Sequence, residues 1–343
     1  MSSYRKRAAV TSALLAIGLY SAAAPAHHHR INFLATTIAF HGEITRLEWQ
    51  NPHVYFYVDA EGDNGEKVRW EIETGSTPGL TRRGMTPETL RVGERLTVRG
   101  NPDRDPARKR LFAESITKTD GTTFLLQGRS TEVAAGSQAR ASDLSGVWST
   151  IGNPYDRTKA ATHLPLTAKA KAAAAAFDVA NDPFAGCTAP PVPDSLSTPY
   201  LHQIVINADT VILREEYWEV DRVVYMDGRD HGVDALRTNQ GHSIGHWDGN
   251  VLVVDTVAFE DHGYGNGSGI PSGAQKHIVE RYALSDGGTT ITIDYVLEDP
   301  EYLAAPFRDT RKWQYAPDLR LLPNKCDLET ARRYIDAPAP SRP

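Results

Sequence analysis

Cysteine is almost absent, with two in 343 residues, Cys187 and Cys326. Neither belongs to a CxxC pair or a zinc-type spacing, which argues against thiol redox chemistry and a cysteine-held zinc. In an exported chain such an even pair is read as a disulfide, here one that ties the second half of the chain together. Basic residues are also scarce: 37 Lys and Arg stand against 43 Asp and Glu. Nucleic acid is therefore not an expected partner, because phosphate binding depends on a basic face. There is no phosphate loop, no dinucleotide fingerprint and no internal repeat. Strand and helix patterns do not alternate as an α/β-hydrolase sheet requires.

The N-terminus carries an export pattern. Arg5, Lys6 and Arg7 precede a mostly apolar stretch, Ala8 to Ala24, and Ala24-Pro25-Ala26 is a small-residue cleavage site. The stretch is alanine-rich and broken by Thr11, Ser12 and Ser21, less apolar than the roughly 18 or more residues of an anchor. Residues 1–26 are therefore read as a signal peptide. The mature chain, starting at His27, is expected in the periplasm or outside the cell and is not expected to span a membrane. Loss of three basic residues takes the count from 37 to 34 against 43 acids, about −9.

Residues 27–126 read as one domain. Val54 to Val58, Val68 to Ile72, Arg95 to Gly100 and Leu111 to Ile116 are short β-branched or aromatic runs between turn signals. About five strands with a short helix near Pro87 to Leu90 suggest a small barrel of the oligonucleotide/oligosaccharide-binding type. Residues 127–142 lack apolar periodicity and read as a linker. From 143 to 334 the chain holds one alanine-rich helix, 167–180, followed by roughly eight strands at hairpin spacing. The expectation is a larger antiparallel, lipocalin-like barrel or curved sheet enclosing a ligand cavity. Residues 335–343 read as a disordered tail.

Within this half, Gly-His-Ser-Ile-Gly at 241–245 matches the G-x-S-x-G pattern of serine nucleophiles. A nucleophile elbow needs a helix directly after the serine. Here a strand follows, then Asp248-Gly249-Asn250, then another strand, which makes a hairpin. Ser243 is therefore expected to pack, with its two glycines permitting close contact or a bulge.

Two resemblances cover most of the mature chain. The segment FHGEITRLEWQNPHVYFYVDA, with His27-His28 and Asn51-Pro52-His53, resembles an uncharacterised family of exported bacterial domains. The second half resembles a widespread uncharacterised secreted bacterial module, through Asp227-Gly228-Arg229, Gly241 to Gly245, Trp247-Asp248-Gly249, Val254-Asp255-Thr256 and Glu280-Arg281. His246 stands where Arg is more usual. Neither resemblance implies an activity.

Ionisable residues of the second half gather at strand ends and connections. Strand alternation puts His242 and His246 on the face opposite Ser243 and Trp247, and His277 and Arg281 opposite Glu280. Asp255 shares a face with Val251 and Val253, which reads as the apolar interior. One reading has Asp227, His242, Asp255 and His277 converging at a barrel mouth for proton transfer, with Arg229 or Arg281 holding an anionic group. Glu216, Tyr225, His231, Trp247 and Arg281 would then contact substrate. In the other reading Asp227 caps a turn, while Arg222 and Arg281 pair with Glu216 and Asp255. The leading expectation is a cofactor-independent lyase, isomerase or hydrolase acting on a small, largely apolar molecule. A non-catalytic small-molecule-binding protein is the alternative. A third is copper or zinc at the mature N-terminus, where the amine and imidazole of His27 would chelate and His28 or His53 would complete the site.

Overall fold

A computed structural model describes residues 32–336 except 63, 129, 134–136, 138, 153–162, 178–181, 233–234 and 268. The signal segment, His27, His28 and most of the expected tail lie outside the described residues.

The first barrel is built from β1 (Ile38–Glu48), β2 (Tyr55–Glu61), β3 (Lys67–Glu73), β4 (Arg95–Pro102) and β5 (Arg110–Lys118), with β6 (Thr123–Leu125) at its edge. Its helix, α1 (Thr77–Arg82), sits ahead of the expected 87–90, which form a turn instead. Local chemistry explains this: the Ser76 hydroxyl accepts from Gly79 N and Pro78 occupies the first helical turn. Ile44, Phe56, Val58, Ile72, Leu96, Val98, Leu111 and Ile116 fill the interior.

The second barrel closes in the order β10 (Val220–Tyr225), β11 (His242–Asp248), β12 (Val251–Val257), β13 (His277–Ser285), β14 (Thr290–Glu298), β15 (Phe307–Tyr315), β7 (Gly146–Thr150), β8 (Leu201–Ile206), β9 (Thr210–Glu215). Eight strands are legible as alternating runs; β7 is short and was hidden in what reads as irregular chain. Its presence changes the topology. A ring with an odd number of strands cannot alternate direction all the way round, so at least one neighbouring pair must be parallel. In this barrel the parallel pair is β10–β11, joined by the long 226–241 connection, and in the five-stranded one it is β3–β5. The alanine-rich helix is α2 (Ala168–Ala175), started by Thr167, whose hydroxyl accepts from Ala170 N.

Trp148, Ile204, Val224, Leu252, Val254, Ile278, Tyr282, Ile293 and Leu297 share one core. Leu252 and Val254 therefore point inward, and Val251, Val253 and Asp255 point outward. The expectation of Asp255 in the apolar interior is overturned: the alternation holds, but the inner face of this strand is the uncharged one of Leu252, Val254 and Thr256. Ser243 is buried and hydrogen-bonds Thr256 (2.9 Å) inside the hairpin β11–β12. Its flanking glycines are required by contact: a Cβ at Gly245 would lie 2.7 Å from Val224 and 2.9 Å from Met226, and Gly241 has φ +72°.

Cys187 and Cys326 form a disulfide across a separation of 139 residues. It anchors a C-terminal strap that reaches from the second barrel to the first. Arg320 O and Glu216 both receive Arg82 of α1. Asp327 N donates to Asn51 O (2.9 Å). Finally, α3 (Leu328–Asp336) sets Thr330 on Gln50, and Arg333 on Glu48 and over the Tyr55 ring. Among the described residues no helix is long and apolar enough to cross a membrane.

Candidate functional site

The outer face of β11–β14 carries a row of titratable groups that the strand register lines up. His242 is opposite Val257, and His277 is opposite Glu298; one step along, Ile244, Asp255 and Val279 are aligned. The 226–241 connection folds back over this row and adds His231. The result is a continuous chain. His277 Nδ1 lies 3.1 Å from Glu298 Oε2, and its Nε2 lies 2.9 Å from Asp255 Oδ1. His231 Nε2 reaches the same Asp255 oxygen (3.3 Å), and His231 Nδ1 lies 2.9 Å from His242 Nδ1. Tyr225 stacks on His242 with ring centroids 5.5 Å apart, and Arg229, paired with Asp227 (2.5 Å), lies over the Tyr225 ring at 4.0 Å.

Protonation orders the chain. The hydrogen bond to Asp255 raises the His277 pKa; burial opposes it and Glu298 adds to it. The same hydrogen bond lowers the Asp255 pKa, against the cost of burial. His277 thus favours the imidazolium, donating at both nitrogens, and Asp255 stays an acceptor. Burial, then the neighbouring His231 and Arg229, lower the His242 pKa, so this ring is neutral. Asp255 accepts from His231 Nε2–H, and the contact between the two Nδ1 atoms needs one donor and one acceptor, His231 Nδ1 accepting in the tautomer that serves proton uptake. His242 then donates from Nδ1, leaving a lone pair on Nε2, to which no described residue hydrogen-bonds. The chain can therefore take a proton at His242 Nε2 and spread the charge toward Asp255.

Asp227, Arg229, Tyr225, His231, His242, Asp255 and His277 thus come together at one end of the strands, on the outer face of the barrel. Trp247 and Arg281 do not join them. Each lies four or five residues along its strand, roughly 13–17 Å away, and Arg281 pairs with Asp248 (2.7 Å), not with Asp255. Glu216 is at the junction of the barrels on Arg82, so the expected Arg222–Glu216 pair does not form. His53 pairs with Glu73 (2.8 Å) in the first barrel. Among the described residues no group of three or more His, Cys, Asp and Glu is arranged to hold a metal ion.

A second polar cluster, inside the barrel, was not anticipated as such. Arg222 makes two hydrogen bonds to Glu280 (2.6 and 2.9 Å) and one to Tyr282 (3.1 Å), all buried. Nearby, His202 lies parallel to Trp313 at 4.1 Å and hydrogen-bonds Thr150. Its cross-strand partner Glu215 accepts from Thr198 (2.6 Å). Burial drives the two apart in pKa, His202 down to about 3 and Glu215 up to about 8, with Thr198 and Arg222 restraining the latter. The signal was available: Glu280 and Arg222 alternate with apolar neighbours on core-facing strands, where a charge requires a partner. What alternation cannot do is match partners 58 residues apart.

Residues 15–112 match a family of unknown function (DUF6152). The match spans most of the first barrel and does not reach the second, where both polar clusters lie. No curated protein matches the chain.

Proposed function

We propose that the second barrel is a cofactor-independent acid–base enzyme of the periplasm, a lyase, isomerase or hydrolase for a small, largely apolar molecule. The observation that carries this is the chain from Glu298 to His242, which ends on a neutral imidazole with a free Nε2. In this reading His242 Nε2 removes a proton from the substrate or from a water beside it. His231 receives the resulting charge through Nδ1, and Asp255, held by His277, stabilises it. His231, Asp255, His277 and Glu298 are positioning residues, while Tyr225 and Arg229 flank the place where a substrate would lie. Half-buried Ile244, Val257 and Val279 on the same face supply apolar contact. A carrier with its ligand inside the barrel is less well supported, because the cavity beside Arg222 and Tyr282 is about 30 Å³, room for water.

The test is turnover of p-nitrophenyl acetate and of 5-nitrobenzisoxazole, the second reporting on a general base. His242→Gln should lower any rate above buffer by about 10²–10⁴. Ser243→Ala should stay within about tenfold of the parent. A folded His242→Gln protein with undiminished turnover, or fluorophosphonate labelling of Ser243, refutes the reading.

A further inference from the structure

Residues 227–232 begin the connection from β10 to β11. All are exposed except His231, which is half-buried. Among the described residues, no backbone group of this segment hydrogen-bonds to the barrel. Two side chains attach it. Arg229 lies over the Tyr225 ring at 4.0 Å while pairing with Asp227 of the segment itself, a weak attachment where water has access. His231 makes the other, to Asp255 (3.3 Å) and to His242 (2.9 Å).

The contact between the two imidazoles depends on one proton. Their ring centroids are 5.1 Å apart, nearly the 2.9 Å between the Nδ1 atoms plus the reach of each nitrogen from its ring centre, so the rings meet head-on. A metal ion would stand about 2.0–2.1 Å from each nitrogen, which this line is too short to hold; a proton fits. One proton there makes an N–H···N hydrogen bond. An additional proton adds at His242 Nε2 and leaves the bond intact, because an imidazolium still donates to a neutral ring. The next can be taken only by the lone pair inside the bond, and two N–H groups on two cations then face each other. Around the pair stand Tyr225 on β10, Arg229 paired with Asp227 in the segment, and Asp255 on β12, with His277 on β13 and Glu298 on β14 behind it. Asp255 is shared between His231 and His277, so it does not offset a second positive charge on the pair.

We propose that His231 is an acid-sensitive latch: uptake of two protons by the His231–His242 pair breaks their contact and frees residues 227–232 from the barrel wall. Burial, His231 and Arg229 hold the His242 pKa down, so release waits until the pH is well below about 6.5, the ordinary imidazole value. A group whose pKa is depressed in the closed state favours that state fully above its ordinary pKa, and the contribution is lost as pH falls through the depressed one. The latch belongs to the fold and needs no turnover. Its consequence for turnover rests on the proposed function: His231 is the link between Asp255 and His242, and release parts them.

The experiment is ¹⁵N relaxation on the full mature chain, deuterated, from pH 7 to pH 4.5, with the histidine ring nitrogens followed in the same samples. Amide order parameters of 228–232 should fall from about 0.85 to below about 0.6 as the second proton arrives, while those of β13 and β14 stay unchanged. His231→Ala should be mobile in this segment already at pH 7. His242→Gln should stay ordered at pH 4.5, since an amide offers His231 either a donor or an acceptor and takes up no proton. Order parameters flat across this range, a fall that β13 and β14 share, an ordered segment in His231→Ala, or an unchanged acid transition in His242→Gln overturns the latch. The expected transition in a protein without turnover refutes the catalytic reading and leaves the latch standing.

Discussion

Replacing Glu215 with Gln tests the buried electrostatics of the second barrel through pH. In β9, facing His202, the Glu215 carboxyl is 5% exposed. Burial moves its pKa from about 4.5 up to about 8, against the restraining Thr198 hydroxyl and Arg222 charge. Between those two values the folded protein keeps a proton that the unfolded chain has released. The folded state therefore binds more protons, and stability falls as pH rises through this window. Each pH unit inside it costs about 1.4 kcal/mol, which gives about 3–5 kcal/mol across the whole interval. Gln carries no such proton. His202, buried neutral, and Lys276, also buried with its pKa lowered to about 7, titrate alike in both proteins and cancel in the difference. Urea unfolding of parent and Glu215→Gln, followed by the fluorescence of Trp148 and Trp313 at steps from pH 4.5 to 8, should show the parent losing ground steadily to the variant. Parallel stability curves would refute the claim that Glu215 is protonated in the fold.

Two further outcomes are expected. Arg222→Leu leaves Glu280 buried with only the Tyr282 hydroxyl and should cost about 3–5 kcal/mol, lowering the melting temperature by about 6–20 °C. Arg222→Leu/Glu280→Leu should recover much of this, and a double variant as weak as the sum of the singles would contradict a paired origin. If the amine of His27 chelates copper, one additional residue ahead of His27 should abolish most of the affinity measured by calorimetry; equal binding by both forms removes that reading.

Much of the second barrel was legible because alternation is local. The runs Val251 to Val257 and His277 to Ala283 have the period of two that sheet faces impose. That period also separated His242 from Ser243 and His277 from Glu280 correctly. Ser243 illustrates the limit of motif reading and the strength of context, since the strand after it already forbade an elbow. The helix at Thr77–Arg82 was missed although Ser76 and Pro78 announce it, because a six-residue element offers too little periodicity to notice.

The sequence alone determined two β domains, the hairpin at 241–256, the cysteine pair and the side of each strand on which each ionisable residue stands. All of these depend on neighbours a few residues apart or on simple counting. Which side was the inside depended on closure of the ring. A ninth strand, β7, completed the barrel, imposed a parallel pair and sent the 226–241 connection back across the outer wall. Only that return brings His231 between Asp255 and His242, joining a carboxylate on β12 to an imidazole on β11. Partnership between Arg222 and Glu280, or between Arg82 and Glu216, likewise joins strands and domains far apart in the chain. No local pattern encodes such pairs, because they form where burial removes water and leaves each charge only the partner that the tertiary fold delivers.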